Sequence, residues 1–334
     1  MLARAAAWGS RRGLTVGAAA ATAGVAALWQ QQPRRADSAA EVQPQLRWAH
    51  VLPLHWKSEV AGWLQDDMPS LDIGGFVVGE ERRTAHLYGK SNGVLAGRPF
   101  FDAVFELLGC EVEWHMREGA EVDADAAGGK VHVATVTGPA RHLLIGERTA
   151  LNTLARCSGV ATKTRDAVAI KEKAGWHGMV AGTRKTTPGF RIVEKYGLLV
   201  GGGATHRLDL SQMIMLKDNH IWSAGSITKA VQAARSAAGF TSKIEVEARD
   251  LTEAVEAAEA GADIVMLDNY TPAALQIDAR ALKARFPHVV VEASGGITEA
   301  TMADYMCEHV DVISRGNLTQ GYPAVDFSLK IQKE

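Results

Sequence analysis

Five side chains able to carry positive charge fall close together in this chain: Arg184, Lys185, His206, Arg207 and Lys217. Arginine grips a carboxylate or phosphate through two parallel hydrogen bonds, so a pocket built from this set suits a ligand with several negative groups. The competing reading, surface charges each paired with a local acid, fits any one of them better than all five together. Two acids follow, Glu247 and Asp268. Within a cationic, anion-binding pocket they suit a magnesium ion shared with substrate phosphates. They would also serve as plain charge balance for Lys217, or as a general acid/base pair. Ser294-Gly295-Gly296 then supplies a turn whose backbone N–H groups can approach an anion, with a helix expected from Thr298 onward. Gly316 is placed for the same task one strand later, whereas Gly201-Gly202-Gly203 is a mobile or tight loop with no assigned chemistry.

These residues share one kind of position. From about Val160 onward, short apolar runs alternate with helical patterns: Met179-Val180-Ala181, Met213 to Leu216, Lys243 to Val246, Asp263 to Leu267, Val289 to Glu292 and Val310 to Ile313. Leu251, Ala254, Val255 and Ala258 recur at helical spacing, and Gly261 follows as a helix stop. Strands alternating with helices imply parallel β/α units, and near-continuous apolar strands imply a sheet covered on both faces. Each run ends in a conspicuous polar residue, Arg315 after VDVIS among them. In a parallel barrel those ends open on one face, where active sites are built. An open dinucleotide-binding sheet competes, but no G-x-G-x-x-G follows a first strand.

The preceding region, about Gln45 to Gly159, mixes patterns and reads as a small, largely antiparallel α/β domain. Phe101, Val104, Phe105 and Leu108 form an apolar helix face. KVHVATV alternates as a half-buried strand with Val131, Val133 and Thr135 on one face, broken by Gly138-Pro139. Helical patterning then runs from Arg148 to Ala155.

Composition narrows the class. The chain has 334 residues, 47% hydrophobic and 22% charged, with a formal net charge of −2. That is a globular composition with no basic excess for nucleic acid. Cys110, Cys157 and Cys307 lie far apart, which argues against a disulfide framework or zinc site. The first 36 residues differ: they hold five arginines, no lysine and no acid. This is the composition of an organelle transit peptide, mitochondrial by preference, with cytoplasmic, plastid or membrane-anchored fates as alternatives. Gly13 to Trp29 is uncharged but only 17 residues long, a weak membrane span.

Several strings resemble the quinolinate phosphoribosyltransferase family. They are GERTALNTLARCSGVAT (Gly146 to Thr162), AGTRKTTPGFR (Ala181 to Arg191), ATHRLDL (Ala204 to Leu210), MLKDNH (Met215 to His220), IEVEARD, IVMLDN and VEASGGI. They occur in the family's order, and the resemblance covers about His50 to the C-terminus.

The resemblance implies an N-terminal α/β sandwich over 45–159, an open parallel α/β barrel of the type II phosphoribosyltransferase kind over 160–316, and a return of 317–334 to the first domain around Phe327-Ser328-Leu329, with 1–44 as tail and linker. It implies transfer of phosphoribosyl from phosphoribosyl pyrophosphate to quinolinate with loss of CO2, giving nicotinate mononucleotide for NAD biosynthesis. By the same resemblance Arg148, Arg184, Lys185, His206 and Arg207 bind the pyridine dicarboxylate, and Lys217 contacts a substrate phosphate or carboxylate. Glu247 and Asp268 hold Mg2+ and the ribose-pyrophosphate, Ser294, Gly295 and Gly296 form the phosphate loop, and Lys185, Glu247 and Asp268 are the catalytic set. It further implies a homodimer or a hexamer built as a trimer of dimers. A nicotinate-type transferase without decarboxylation, a Schiff-base barrel lyase using Lys217, and a non-enzymatic binding protein are the alternatives.

Overall fold

The computed structural model of the protein describes residues 48–333; the arginine-rich tail and its uncharged stretch lie outside them. The first half runs α1 (Trp56–Asp67), α2 (Ile73–Val78), β1 (Arg82–Gly89), β2 (Gly93–Val94), α3 (Arg98–Leu107), β3 (Glu111–Trp114), β4 (Glu121–Val122), β5 (Val131–Pro139) and α4 (Ala140–Lys173). The second half runs β6 (Met179–Ala181), α5 (Arg191–Val200), β7 (Ile214–Leu216), α6 (Asp218–Ala224), α7 (Ile227–Ala238), β8 (Ile244–Ala248), α8 (Leu251–Glu259), β9 (Ile264–Asp268), α9 (Pro272–Arg285), β10 (Val290–Ser294), β11 (Val312–Ser314) and β12 (Phe327–Ile331).

Two hydrophobic cores result. The first fills the space between a four-stranded antiparallel sheet, ordered β12-β1-β5-β3, and the helices α1, α3 and α4. The last strand therefore belongs to the first sheet, where Leu87 pairs with Leu329. Gly159 makes the return path possible, since a Cβ there would lie 2.4 Å from the Pro323 carbonyl oxygen.

The second core surrounds six parallel strands ordered β6-β11-β10-β9-β8-β7. All six follow the apolar runs of the sequence. The sheet stays open between β6 and β7, which are linked only indirectly, through a single bridge from Ala181 to Ala204.

Three local expectations are corrected. Strand β5 buries Val133, Ala134 and Val136 and leaves Val131 and Thr135 half-exposed. A bulge in β5 at Val133, opposite the Leu87–Tyr88 step of β1, shifts the pairing there and changes the phase of the pleat. Gly138-Pro139 does not break the strand: both pair with β1, and Pro139 becomes the N-cap of α4. The helix expected over Arg148 to Ala155 is a 34-residue rod. Its sequence hides this because α4 is buried on several sides, with small residues such as Gly146, Ala150, Gly159 and Ala161 spread around it in place of a single apolar stripe. No helix among the described residues is long and apolar enough to cross a membrane.

Candidate active site

The C-terminal ends of the parallel strands surround a cavity of about 620 Å³. Arg184, Lys185, His206, Arg207, Lys217, Glu247, Asp268, Ser294, Gly295, Gly296 and Gly316 all line it. Residues separated by more than a hundred positions meet because every β/α unit returns its strand end to the same face.

Two consecutive residues of α5 place the cationic loops. Glu194 and Lys195 are both buried, and neighbouring helix positions point in different directions. Glu194 accepts hydrogen bonds from the Thr187 N–H (2.8 Å) and hydroxyl (2.8 Å), pinning the loop that carries Arg184 and Lys185. Lys195 donates to the carbonyls of Thr205 and Arg207, pinning the loop that carries His206 and Arg207. Burial first, then the nearby Arg191, Arg184 and Arg207 guanidiniums, push the Lys195 ammonium down to about 8. Arg207 is itself lowered, chiefly by burial and then by Arg184. This wall of the cavity thus holds mutually repelling positive charge, which an anionic ligand would relieve.

Elsewhere on the cavity wall, Lys217 forms a close ion pair with Glu247. The Asp268 carboxyl stands above the ordinary carboxylate range, first because it is partly buried and then because Glu247 repels it, with Lys217 and Lys185 opposing. Two hard oxygen donors that repel one another suit a divalent cation such as Mg2+. Asn269, absent from the sequence-based set, donates to Asp268 at 2.5 Å and fixes its orientation. Its left-handed backbone (φ 59°) is a conformation that Asn tolerates better than most residues.

Beneath the cavity lies a buried trio. Glu245 and Glu292 are almost wholly enclosed, and His206 Nε2 stands 3.2 Å from Glu292 and 3.6 Å from Glu245. Burial and then the neighbouring Glu292 raise the Glu245 carboxyl well above its usual range. His206 Nδ1 accepts the Arg207 N–H at 2.7 Å, which leaves the ring proton on Nε2, facing the glutamates. With its Nδ1 lone pair so occupied, His206 turns an N–H, not a metal-binding lone pair, toward the glutamates, and both Glu245 oxygens stay buried without a hydrogen-bond partner.

The glycine turn differs from expectation in one respect. No α-helix begins at Thr298; the Thr298 and Thr301 hydroxyls cap each other's backbone N–H groups, and only a short 3-10 turn follows at Met302–Tyr305. A helix dipole therefore contributes nothing here. The geometry that remains is a pair of left-handed glycines, Gly295 (φ 90°) and Gly296 (φ 66°), whose successive N–H groups can form an anion-binding hollow. Gly295 also sits so close to Asn269 that a Cβ would lie 2.3 Å from its side-chain oxygen. Gly316 has a different local purpose: the Lys185 stem crosses it, 2.8 Å from where a Cβ would be.

Arg148 is the exception among the expected site residues. It projects from α4, 62% exposed, with Glu147 as its ion-pair neighbour at 3.5 Å, and does not line the cavity of its own chain. Thr183, Ser314, Asn317 and Gln320 line it without having been expected from the sequence, and so does Arg315, which the sequence marked as a strand end without a task.

Comparison with known proteins bears on the whole of this architecture. Residues 160–330 match the family model for the quinolinate phosphoribosyl transferase C-terminal domain, and residues 72–158 match that for the N-terminal domain. A nicotinate-nucleotide pyrophosphorylase [carboxylating] of Homo sapiens is 56% identical over 279 residues, covering 84% of this chain and 92% of the relative. One from Dictyostelium discoideum is 51% identical, covering 81% and 94%. Among solved structures, NadC from Streptococcus pyogenes superposes with a TM-score of 0.76 at 34% identity, covering 84% of this chain and 98% of that one. The nicotinate-nucleotide pyrophosphorylase from Francisella tularensis gives 0.75 at 32%, covering 83% and 95%.

Proposed function

Because this chain belongs to the quinolinate phosphoribosyltransferase family, we propose that its strand-end cavity joins quinolinate to the ribose of phosphoribosyl pyrophosphate and releases pyrophosphate and CO2. The product is nicotinate mononucleotide, a step of NAD biosynthesis. The observation that carries this reading is the convergence of five cations and two acids on one cavity.

The residues divide the work by charge. Arg184, Lys185 and Arg207 face the dicarboxylate, and His206 braces the Arg207 backbone while closing the cavity floor. The pyridine nitrogen attacks the anomeric carbon as the bond to pyrophosphate breaks, and positive charge develops on the ribose. Glu247 and Asp268 lie where carboxylates can stabilise that charge. They are also the residues that would hold Mg2+, which when bound offsets charge on pyrophosphate. The Gly295-Gly296 hollow receives the ribose phosphate. Once the ring nitrogen is cationic it stabilises the electron pair left on the adjacent ring carbon when its carboxylate departs as CO2, and that carbon then takes up a proton from solvent to give the product ring. Lys185 crosses Gly316 beside Asp268 and supplies a cation to the reacting end.

The lyase alternative loses ground because Lys217 is ion-paired with Glu247, the opposite of the setting that frees a lysine as a nucleophile. Mixing the purified protein with quinolinate, phosphoribosyl pyrophosphate and Mg2+ should yield CO2 and nicotinate mononucleotide in equal amounts. Turnover of nicotinate in place of quinolinate, without CO2, would favour the other transferase.

We also infer that residues 1–35 direct the protein to an organelle. Their deletion is expected to leave activity in vitro unchanged, and their fusion to a fluorescent protein should direct it to mitochondria. A diffuse cytosolic signal would sink this inference, and carbonate-resistant membrane association would point to an anchor.

A further inference from the structure

The residue after β11 is an arginine that the division of labour above leaves without a task. The Arg315 side chain has no solvent exposure. A guanidinium offers five N–H donors, yet this one is poorly met. Its NH1 reaches only the Met302 sulfur at 3.5 Å, and its NH2 reaches only Glu299 at 3.4 Å, an acid that is itself 47% exposed. Its Nε has no partner. Burial pulls its pKa down, with Glu299 opposing. By contrast, Arg141 at the surface has two close carboxylates, at 2.8 and 3.1 Å. A buried cation with so little local compensation is costly unless an anion completes it.

The place where such an anion would sit is adjacent. Arg315 and the Gly295-Gly296 turn line the same cavity, and Ser314 Oγ meets Ser294 Oγ at 3.1 Å across the β10–β11 pair. Both polar contacts of the Arg315 side chain are to the segment that follows the glycines, Glu299 and Met302. The guanidinium therefore ties that segment to the end of β11 from behind. Asn317, two residues on, lines the cavity too and carries a buried side-chain oxygen without a partner.

We propose that Arg315 is a positioning residue for phosphate recognition: it clamps the back of the Gly295-Gly296 turn and supplies a buried positive charge that the ribose phosphate of phosphoribosyl pyrophosphate completes. This rests on the phosphate role given to the turn above. Arg315 does not touch the reacting atoms, so its loss is felt in affinity for one substrate and not in the chemical step.

Arg315→Met keeps volume while removing charge, and Arg315→Lys keeps charge while removing the fork. Arg315→Met is expected to raise the Kd for ribose 5-phosphate and the KM for phosphoribosyl pyrophosphate roughly tenfold, a typical effect of losing one charge-assisted partner. Quinolinate affinity and kcat at saturation should stay near wild type, and Arg315→Lys should recover part of the loss. Thermal melts separate this from a structural role. The ligand-free Arg315→Met protein should melt at or above the wild-type temperature, while the upward shift produced by ribose 5-phosphate shrinks. A lower melting temperature with an undiminished shift, or an unchanged KM, would overturn the proposal. If the wild-type protein does not bind ribose 5-phosphate in competition with phosphoribosyl pyrophosphate, the phosphate reading of the turn fails, and this inference with it.

Discussion

Glu247→Ala and Asp268→Ala are each expected to lower kcat by about 10² to 10³, the usual effect of removing a group aimed at charge that develops in the transition state. Quinolinate binding should survive both changes. The reason lies in the charge layout. On the proposed reading the dicarboxylate is held by the wall of Arg184, Lys185 and Arg207, whereas the two acids stand at the ends of β8 and β9. Glu247 is also the ion-pair partner of Lys217, so its loss leaves one more unpaired cation in the cavity. Quinolinate should then bind as well as before or more tightly, while turnover collapses. An interaction made only in the transition state behaves this way, with kcat and kcat/KM falling together. Glu247→Gln, which keeps a hydrogen-bond acceptor for Lys217, should restore the pairing contact but not the rate. Calorimetric titration with quinolinate and steady-state turnover together decide the matter. If both alanine variants turned over like wild type, the acids would be charge balance for Lys217 and nothing more.

What the sequence reveals of this site follows from how a β/α barrel is built. Arg184, Lys217, Glu247, Asp268 and Ser294 each lie at or just beyond the end of an apolar run. Topology alone brings such positions together, so the run and its last polar residue are enough to find them. The supporting residues carry no such mark. Glu194 and Lys195 look like ordinary solvated charges in α5, and only the packing of two separate loops against that helix shows that both are buried. Glu245 and Glu292 read as polar breaks in β8 and β10, yet they form the floor because alternate strand residues face the barrel interior. The expected helix at Thr298 fails for a local reason, the reciprocal Thr298–Thr301 hydroxyl bonds, which hold a turn that the sequence pattern does not distinguish from a helix start. In the first domain the bulge at Val133, opposite Leu87–Tyr88, is equally silent: it depends on how two strands pair, not on either strand's own alternation.

Arg148→Ala is expected to abolish most activity although Arg148 stands outside the cavity of its own chain. If Arg148 binds quinolinate, as the family resemblance implies, it would have to do so in a neighbouring subunit, and two features of the surface around it suit that reading. Arg148 is largely exposed and has only its sequence neighbour Glu147, 3.5 Å away, as an ion-pair partner. The short helix α2, which packs on the same α4, leaves Ile73, Phe76 and Val77 exposed at 74%, 89% and 82%. Apolar surface of that kind is usual where another protein docks. In a two-fold dimer the same surface serves both subunits, and each would lend its arginine to the other's barrel. Complementation tests this directly. Arg148→Ala and Glu247→Ala proteins, each expected to be nearly inactive, are mixed in equal amounts under conditions that allow subunits to exchange. Every mixed dimer then contains one site with both defects and one site with neither. Random exchange places half the molecules in mixed dimers, so about a quarter of all sites should recover. If Arg148 acts within its own subunit, every site keeps one defect and mixing restores nothing. Mass spectrometry of isotope-labelled subunits must show that exchange has occurred, because two dimers that never exchange would give the same negative result.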